Sequence, residues 1–209
     1  MQKFIEPFAP LSDHVRQYSR ATTLAAAPED MEVLWLFGYA SLMWDARFPF
    51  VAAKPARLQG WRREMCVWTT LARGTPECPG LAMGLLPGGV CDGIAYKIAV
   101  CKQAQVLEMV WQREMWTDIY QPTWVSLEIG SVIAPALTFT VNQTSRQFTG
   151  PLTMGQQVEH IAEAIGERGP CRDYLNNTMV RMRSLGVEEP KLHALNDVVK
   201  TRSPSTANC

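Results

Sequence analysis

The apolar positions of this chain change period along its length, and each change marks an element. Met1 to Met31 reads as an extension. Ser12 is placed to cap a short helix through Ala27, with Val15 and Leu24 among its few apolar residues and Pro28-Glu29-Asp30 at its end. An apolar run over Val33 to Phe37 then predicts a buried strand, stopped by Gly38 and followed by a Tyr39-Ala40-Ser41 loop. Arg57 to Trp68 alternates, with Met65 and Val67 against Cys66 and Trp68. It reads as a strand pair or one bulged strand, Gly60 sitting where a bulge can fall. Arg73 to Gly80 is a Pro/Gly-rich loop, and Leu81 to Leu86 a short apolar strand. Pro87-Gly88-Gly89 reads as a hairpin turn into Gly93 to Val100; no Lys-Ser/Thr follows it, which argues against a phosphate cradle.

The second half is dominated by helical spacing. Lys102 to Trp116 has helical periodicity and ends before Pro122. Thr123 to Ile129 and Ser131 to Val141 read as a strand pair turned at Gly130. Thr153 to Gln156 has the form of a capping box, ahead of an apolar face at Met154, Val158, Ile161 and Ile165. Gly166 and Gly169-Pro170 break that helix. A second follows over Arg172 to Leu185 with Tyr174, Leu175, Thr178, Met179 and Met182 inward, and a third starts near Pro190. Strands and helices do not alternate strictly, which argues against a doubly wound parallel sheet. The organisation expected is an extension over residues 1–31, one α+β domain over 32–200 with a helical last third, and a polar tail over 201–209.

Composition narrows the partners. The 209 residues suit a single self-sufficient domain, and 47% apolar with 19% charged is the balance of a soluble globular chain. Twenty basic residues offset twenty acidic ones, with no basic stripe or polybasic block. A small-molecule ligand therefore fits better than nucleic acid or a membrane surface. No stretch approaches the roughly 18 apolar residues that span a bilayer. The first ten residues lack the sustained apolar core of a signal peptide, so a cytoplasmic location is expected. The six cysteines include no CxxC pair and read as free thiols. His14, His160 and His193 lack ligand spacing, and no metal or other cofactor is expected. Most of the seven tryptophans read as core. Nothing in the sequence specifies an oligomeric state.

One charged residue breaks the pattern. Leu107, Val110, Trp111 and Glu114 follow i, i+3, i+4, i+7 spacing, so a carboxylate falls on a face that should be buried. Three explanations compete: an ion pair with Arg113 or another arginine, a position just beyond the core, or a cavity where the carboxylate does proton chemistry. Ser41 has no G-x-S-x-G frame, which argues against a serine hydrolase.

Five motifs occur in order: Phe37-Gly38-Tyr39-Ala40-Ser41-Leu42-Met43-Trp44, Leu58-Gln59-Gly60-Trp61-Arg62-Arg63, Arg73-Gly74-Thr75-Pro76, Pro87-Gly88-Gly89-Val90-Cys91-Asp92-Gly93-Ile94-Ala95-Tyr96, and Arg113-Glu114-Met115 with Tyr120-Gln121-Pro122. Together with Asp173-Tyr174-Leu175 they resemble the ChaC-type, glutathione-specific γ-glutamylcyclotransferases from about residue 34 to about residue 199. The resemblance implies a small mixed β-barrel with helices packed around it. It implies cleavage of glutathione to 5-oxoproline and cysteinylglycine without metal. Glu114 takes the place of the catalytic glutamate, and Leu36, Phe37, Gly38, Tyr39, Ala40, Ser41 and Leu42 that of the substrate-binding loop. Arg73 and Tyr174 are further candidates for the substrate's α-carboxylate or its glycine end.

The chain departs from the family at two places. Ala40 stands where members have glycine, which matters if the position needs a positive φ. Leu86 stands where many carry an acidic residue. Two other readings remain open beside the first: a cyclotransferase for other γ-glutamyl amines or amino acids, and a non-catalytic binding or regulatory protein, for instance in cation transport, on the same fold.

Overall fold

The computed structural model describes residues 4–29, 31 and 33–202; residues 203–209 of the expected polar tail and Asp30 lie outside the described residues. In chain order the elements are α1 (Asp13–Ala25), β1 (Leu34–Gly38), β2 (Ala52–Thr69), β3 (Gly80–Ile98), α2 (Gln103–Glu114), β4 (Tyr120–Ile129), β5 (Val132–Val141), α3 (Met154–Glu163), β6 (Ile165–Gly166), β7 (Gly169–Pro170), α4 (Cys171–Ser184) and α5 (Pro190–Thr201). Strands and helices segregate rather than alternate, giving the α+β class expected. Two compact units divide the chain: one holds residues 9–64 and 84–142, the other residues 4–8, 65–83 and 143–202.

The first unit carries β1, α1, α2, β4 and β5. The five long strands close into a barrel in the order β1-β3-β2-β4-β5. β1 is antiparallel to β3, from Leu34↔Ile98 to Gly38↔Ile94, and closes the barrel by a parallel contact to β5 at Leu36↔Leu137. Closure removes the exposed edges that an open sheet would leave. β4 and β5 form the expected pair, from Tyr120↔Val141 to Ile129↔Val132, with Gly130 at φ +63 in the turn. Leu58, Leu85, Ile94, Leu127 and Leu137 are all buried.

The Pro87-Gly88-Gly89 reading is corrected. β3 runs unbroken through it, and Gly88 and Gly89 have φ of +95 and +85 inside the strand. The strand is exposed from Pro87 to Val90, and the Arg62 guanidinium bonds the Pro87 carbonyl. Residues with positive φ on an exposed stretch make a bulge as readily as a turn. β2 is likewise one strand, with Gly60 at φ +78.

The second unit carries α3, α4 and α5, which pack on one another. Thr153 and Gln156 do form a capping box, and Pro190 opens α5 at its first turn. Val158 and Ile161 are buried as the spacing predicts, but Met154 and Ile165 are exposed. Ile165 belongs to the two-residue strand β6 paired with β7, not to the helix. Among the tryptophans Trp68 and Trp111 are buried, Trp116 is exposed, and the other four are half-buried, so the core reading holds for two.

The cysteine reading also needs one correction. Among the described residues Cys66, Cys91, Cys101 and Cys171 are free, whereas Cys78 is disulfide-bonded. Burial pushes the Cys171 thiol up to about 12, against the weaker opposing effect of its bond to the Leu81 backbone. Since the thiolate is the reactive form, alkylation of the native protein at neutral pH should mark exposed Cys101 first and Cys171 last. Peptide mass spectrometry after timed iodoacetamide exposure reads this order.

Candidate active site

Gly38 ends β1, and the chain then turns through Tyr39 and Ala40 into a 3-10 turn over Ser41–Met43. Both ends of this loop are fixed. At its entry the Phe37 carbonyl accepts the Thr138 hydroxyl at 3.1 Å, and Leu36, Phe37 and Gly38 are in register with β3. At its exit the buried Tyr96 hydroxyl donates to the Leu42 carbonyl at 2.7 Å. Between them Met43 N–H bonds the Ala40 carbonyl at 2.9 Å and Asp45 N–H the Ser41 carbonyl at 2.8 Å.

Two glycines permit this path by close approach. A Cβ on Gly38 would lie 2.7 Å from the Leu42 Cβ, and one on Gly93 would lie 2.4 Å from the Gly38 carbonyl oxygen. Ala40, by contrast, has φ −134, so its place in the chain needs no left-handed backbone and alanine meets no penalty of that kind.

Glu114 is the last residue of α2, which ends two residues before the Trp116 that the periodicity suggested. Its side chain is 14% exposed, and its Oε1 lies 3.1 Å from the Arg113 Nε. The Arg113 guanidinium also donates to the Ser41 hydroxyl at 2.9 Å and to the Asp45 carbonyl. Of the competing explanations, the ion pair with Arg113 is therefore present, and it ties the carboxylate to the loop.

The predicted residues of this unit take different parts. Leu36 and Phe37 are core side chains in the barrel wall, so only their backbones are available to a ligand, and the β3 ladder engages those. The Tyr39 hydroxyl donates to the Phe139 carbonyl at 3.0 Å, which anchors the loop to β5. Ser41 is joined to Glu114 through Arg113. Leu86, at the second departure, is buried in β3. Arg113 is the functional candidate that sequence reasoning left out of the site. The sequence offered it only as an ion-pair partner for the carboxylate, because its bonds to Ser41 and Asp45 join residues far apart in the chain.

Arg73 and Tyr174 belong to the other unit. They lie together, the guanidinium 5.7 Å from the ring centroid, within cation–π range. Arg73 also donates to the carbonyls of Arg168 and Pro170. The Tyr174 hydroxyl accepts the Met83 N–H at 3.0 Å. Burial holds the Arg73 guanidinium below its ordinary value.

The sequence model of the family described as ChaC-like protein matches residues 34–202. The glutathione-specific gamma-glutamylcyclotransferase of Escherichia coli (strain K12) is 33% identical over 182 residues, covering 86% of this chain and 78% of that protein. Gamma-glutamylcyclotransferase 2-3 of Arabidopsis thaliana is 28% identical over 176 residues, covering 80% and 88%. The crystal structure of the glutathione-specific γ-glutamyl cyclotransferase from yeast has a similar fold, with a TM-score of 0.75 at 19% identity over 81% of this chain and 96% of that one.

The close approaches give a direct test. Gly38→Ala and Gly93→Ala should each cost roughly 1–3 kcal/mol, the range for overpacking. Each should lower the urea midpoint of unfolding, read by tryptophan fluorescence.

Proposed function

The chain belongs to the ChaC-like family, and from that membership we propose that it is a γ-glutamylcyclotransferase acting on glutathione. The observation that carries this reading beyond the family is the link from Glu114 through Arg113 to Ser41. It joins a mostly buried carboxylate to the loop beside it, which suits a proton shuttle next to a substrate clamp.

The substrate supplies its own nucleophile. The α-amine of the γ-glutamyl group attacks the γ-carbonyl carbon, forming a C–N bond and closing a five-membered ring. Collapse of the tetrahedral adduct breaks the original amide bond. 5-Oxoproline and cysteinylglycine leave, with no water consumed. Glu114 takes a proton from the α-ammonium and passes it to the departing nitrogen. The second proton, shed by the ring nitrogen after attack, goes by the same carboxylate to the freed amine. To take the first proton Glu114 must enter as the carboxylate, and its Oε1 lies 3.1 Å from the Arg113 Nε. Backbone N–H groups of Ala40, Ser41 and Leu42 serve the oxyanion or the α-carboxylate, since the ladder to β3 engages Leu36 to Gly38.

The attack is intramolecular, and such an arrangement is worth up to about 7–11 kcal/mol over a bimolecular one when the reacting atoms are well oriented. No metal is needed to make the nucleophile, because the amine is already in the molecule. The cytoplasm, which holds a glutathione pool, is the compartment this substrate suggests. No helix among the described residues is long and apolar enough to cross a membrane.

Purified protein incubated with glutathione should release 5-oxoproline, measured by mass spectrometry, and should do so equally with EDTA present. Glu114→Gln should lower the rate about 100-fold or more, the usual weight of a general acid–base group. Product from γ-glutamyl-alanine but not glutathione would move the substrate to other γ-glutamyl compounds. Unchanged activity in Glu114→Gln would sink the mechanism. No product from either compound would favour a binding protein.

A further inference from the structure

Helix α1 has no buried residue, so burial of apolar surface does not hold it in place. It is nevertheless attached at defined points, two of them on α2 and one just past its end. Leu11 N–H donates to the Trp116 carbonyl at 2.8 Å, two residues beyond Glu114. Arg16 donates to the Leu11 carbonyl at 2.7 Å and pairs with Asp13, which fixes the turn that presents Leu11. The Ser19 hydroxyl lies 3.4 Å from the Trp111 indole nitrogen, which donates to it, and Arg20 pairs with Glu108. Further along, the Thr23 carbonyl accepts the Trp124 indole N–H of β4 at 2.9 Å.

These contacts meet α2 at Glu108 and Trp111 and the chain just beyond it at Trp116, a series that brackets Glu114. The bracket has a physical purpose. Helix ends are the least stable part of a helix and leave carbonyls without partners. A negative side chain at the C-terminal end also opposes the helix dipole. Glu114 stands at that end, and a proton shuttle tolerates little movement, because small misplacements of a catalytic group cost large factors in rate.

We infer that residues 11–23 are a positioning brace that holds the last turn of α2, and with it Glu114, against the loop that follows β1. These residues lie outside the span matched by the family model, and the inference adds to the cyclotransferase reading, on which its kinetic readout rests. The brace works by discrete polar bonds rather than packing. A gap of about 170 Å³ remains between α1 and α2, with Gln17 and Gln112 among its walls. Its attachments can therefore be cut singly without opening a core cavity.

The test uses the full chain with Arg20→Glu, with Glu108→Arg, and with both. Arg20→Glu puts two carboxylates together where an ion pair stood. It should lower kcat on glutathione roughly fivefold with KM within about twofold, a displaced general base rather than lost binding. It should also speed amide hydrogen exchange over residues 111–116. The double variant, with the charges exchanged, should recover both. Ser19→Ala removes only the hydroxyl facing Trp111 and should shift both readouts the same way by about twofold; it keeps the test open if Arg20→Glu does not fold. Unaltered exchange over 111–116 in both Arg20→Glu and Ser19→Ala overturns the brace. So does faster exchange with unchanged kcat, which leaves a structural attachment alone. Exchange needs no substrate: a wild-type protein that forms no 5-oxoproline sinks the cyclotransferase reading, while the exchange result still decides whether α1 holds the helix end.

Discussion

The guanidinium of Arg113 is the joint on which the candidate site depends. It engages three groups at once: the Glu114 carboxylate, the Ser41 hydroxyl and the Asp45 carbonyl. A guanidinium carries five donors in one rigid plane, so three partners on two elements leave it little freedom. Its charge also offsets the mismatch of a carboxylate at the negative end of a helix. A lysine has a single compact head and a flexible stem, and it would not reproduce that planar fork.

The barrel supplies the other half of the geometry. β1 lies between β3 and β5, so the strand that delivers the loop is paired on both sides. Thr138 holds the last turn of that strand and Tyr96 holds the far end of the loop, both through carbonyl oxygens. Satisfying the carbonyls from the scaffold orients the peptide planes between them. Such support from rigid strands lets a short loop act as a fixed surface.

What the sequence made legible was local or periodic. Ser12 accepts the Val15 N–H as its cap, the Thr153–Gln156 box forms, and Gly130 turns β4 into β5. The family motifs also pointed to Glu114 and to the loop. What stayed hidden depends on pairings between distant residues. Pro87-Gly88-Gly89 looked like a turn because turns and bulges both use positive φ, and only the course of β3 separates them. The two-residue strands β6 and β7 are too short to show a period. Tyr39 looked like a ligand contact, but its hydroxyl partner is the Phe139 carbonyl, 100 residues away. Arg113 was legible as an ion-pair partner for Glu114, but its reach to Ser41 and Asp45, 72 and 68 residues away in the chain, was not.

The Gly38–Gly93 approach has a consequence for how such chains diverge. The site of a Gly93 side chain is already filled by the Gly38 carbonyl and the Phe37 ring, and that of a Gly38 side chain by Leu42. The two glycines therefore permit different close approaches, Gly93 that of β3 to β1 and Gly38 that of the loop to its own strand. Gly93 cannot take a side chain while β1 keeps its course, nor Gly38 while the loop returns past it at Leu42, so mutation reaches this loop through its side chains and not through its path.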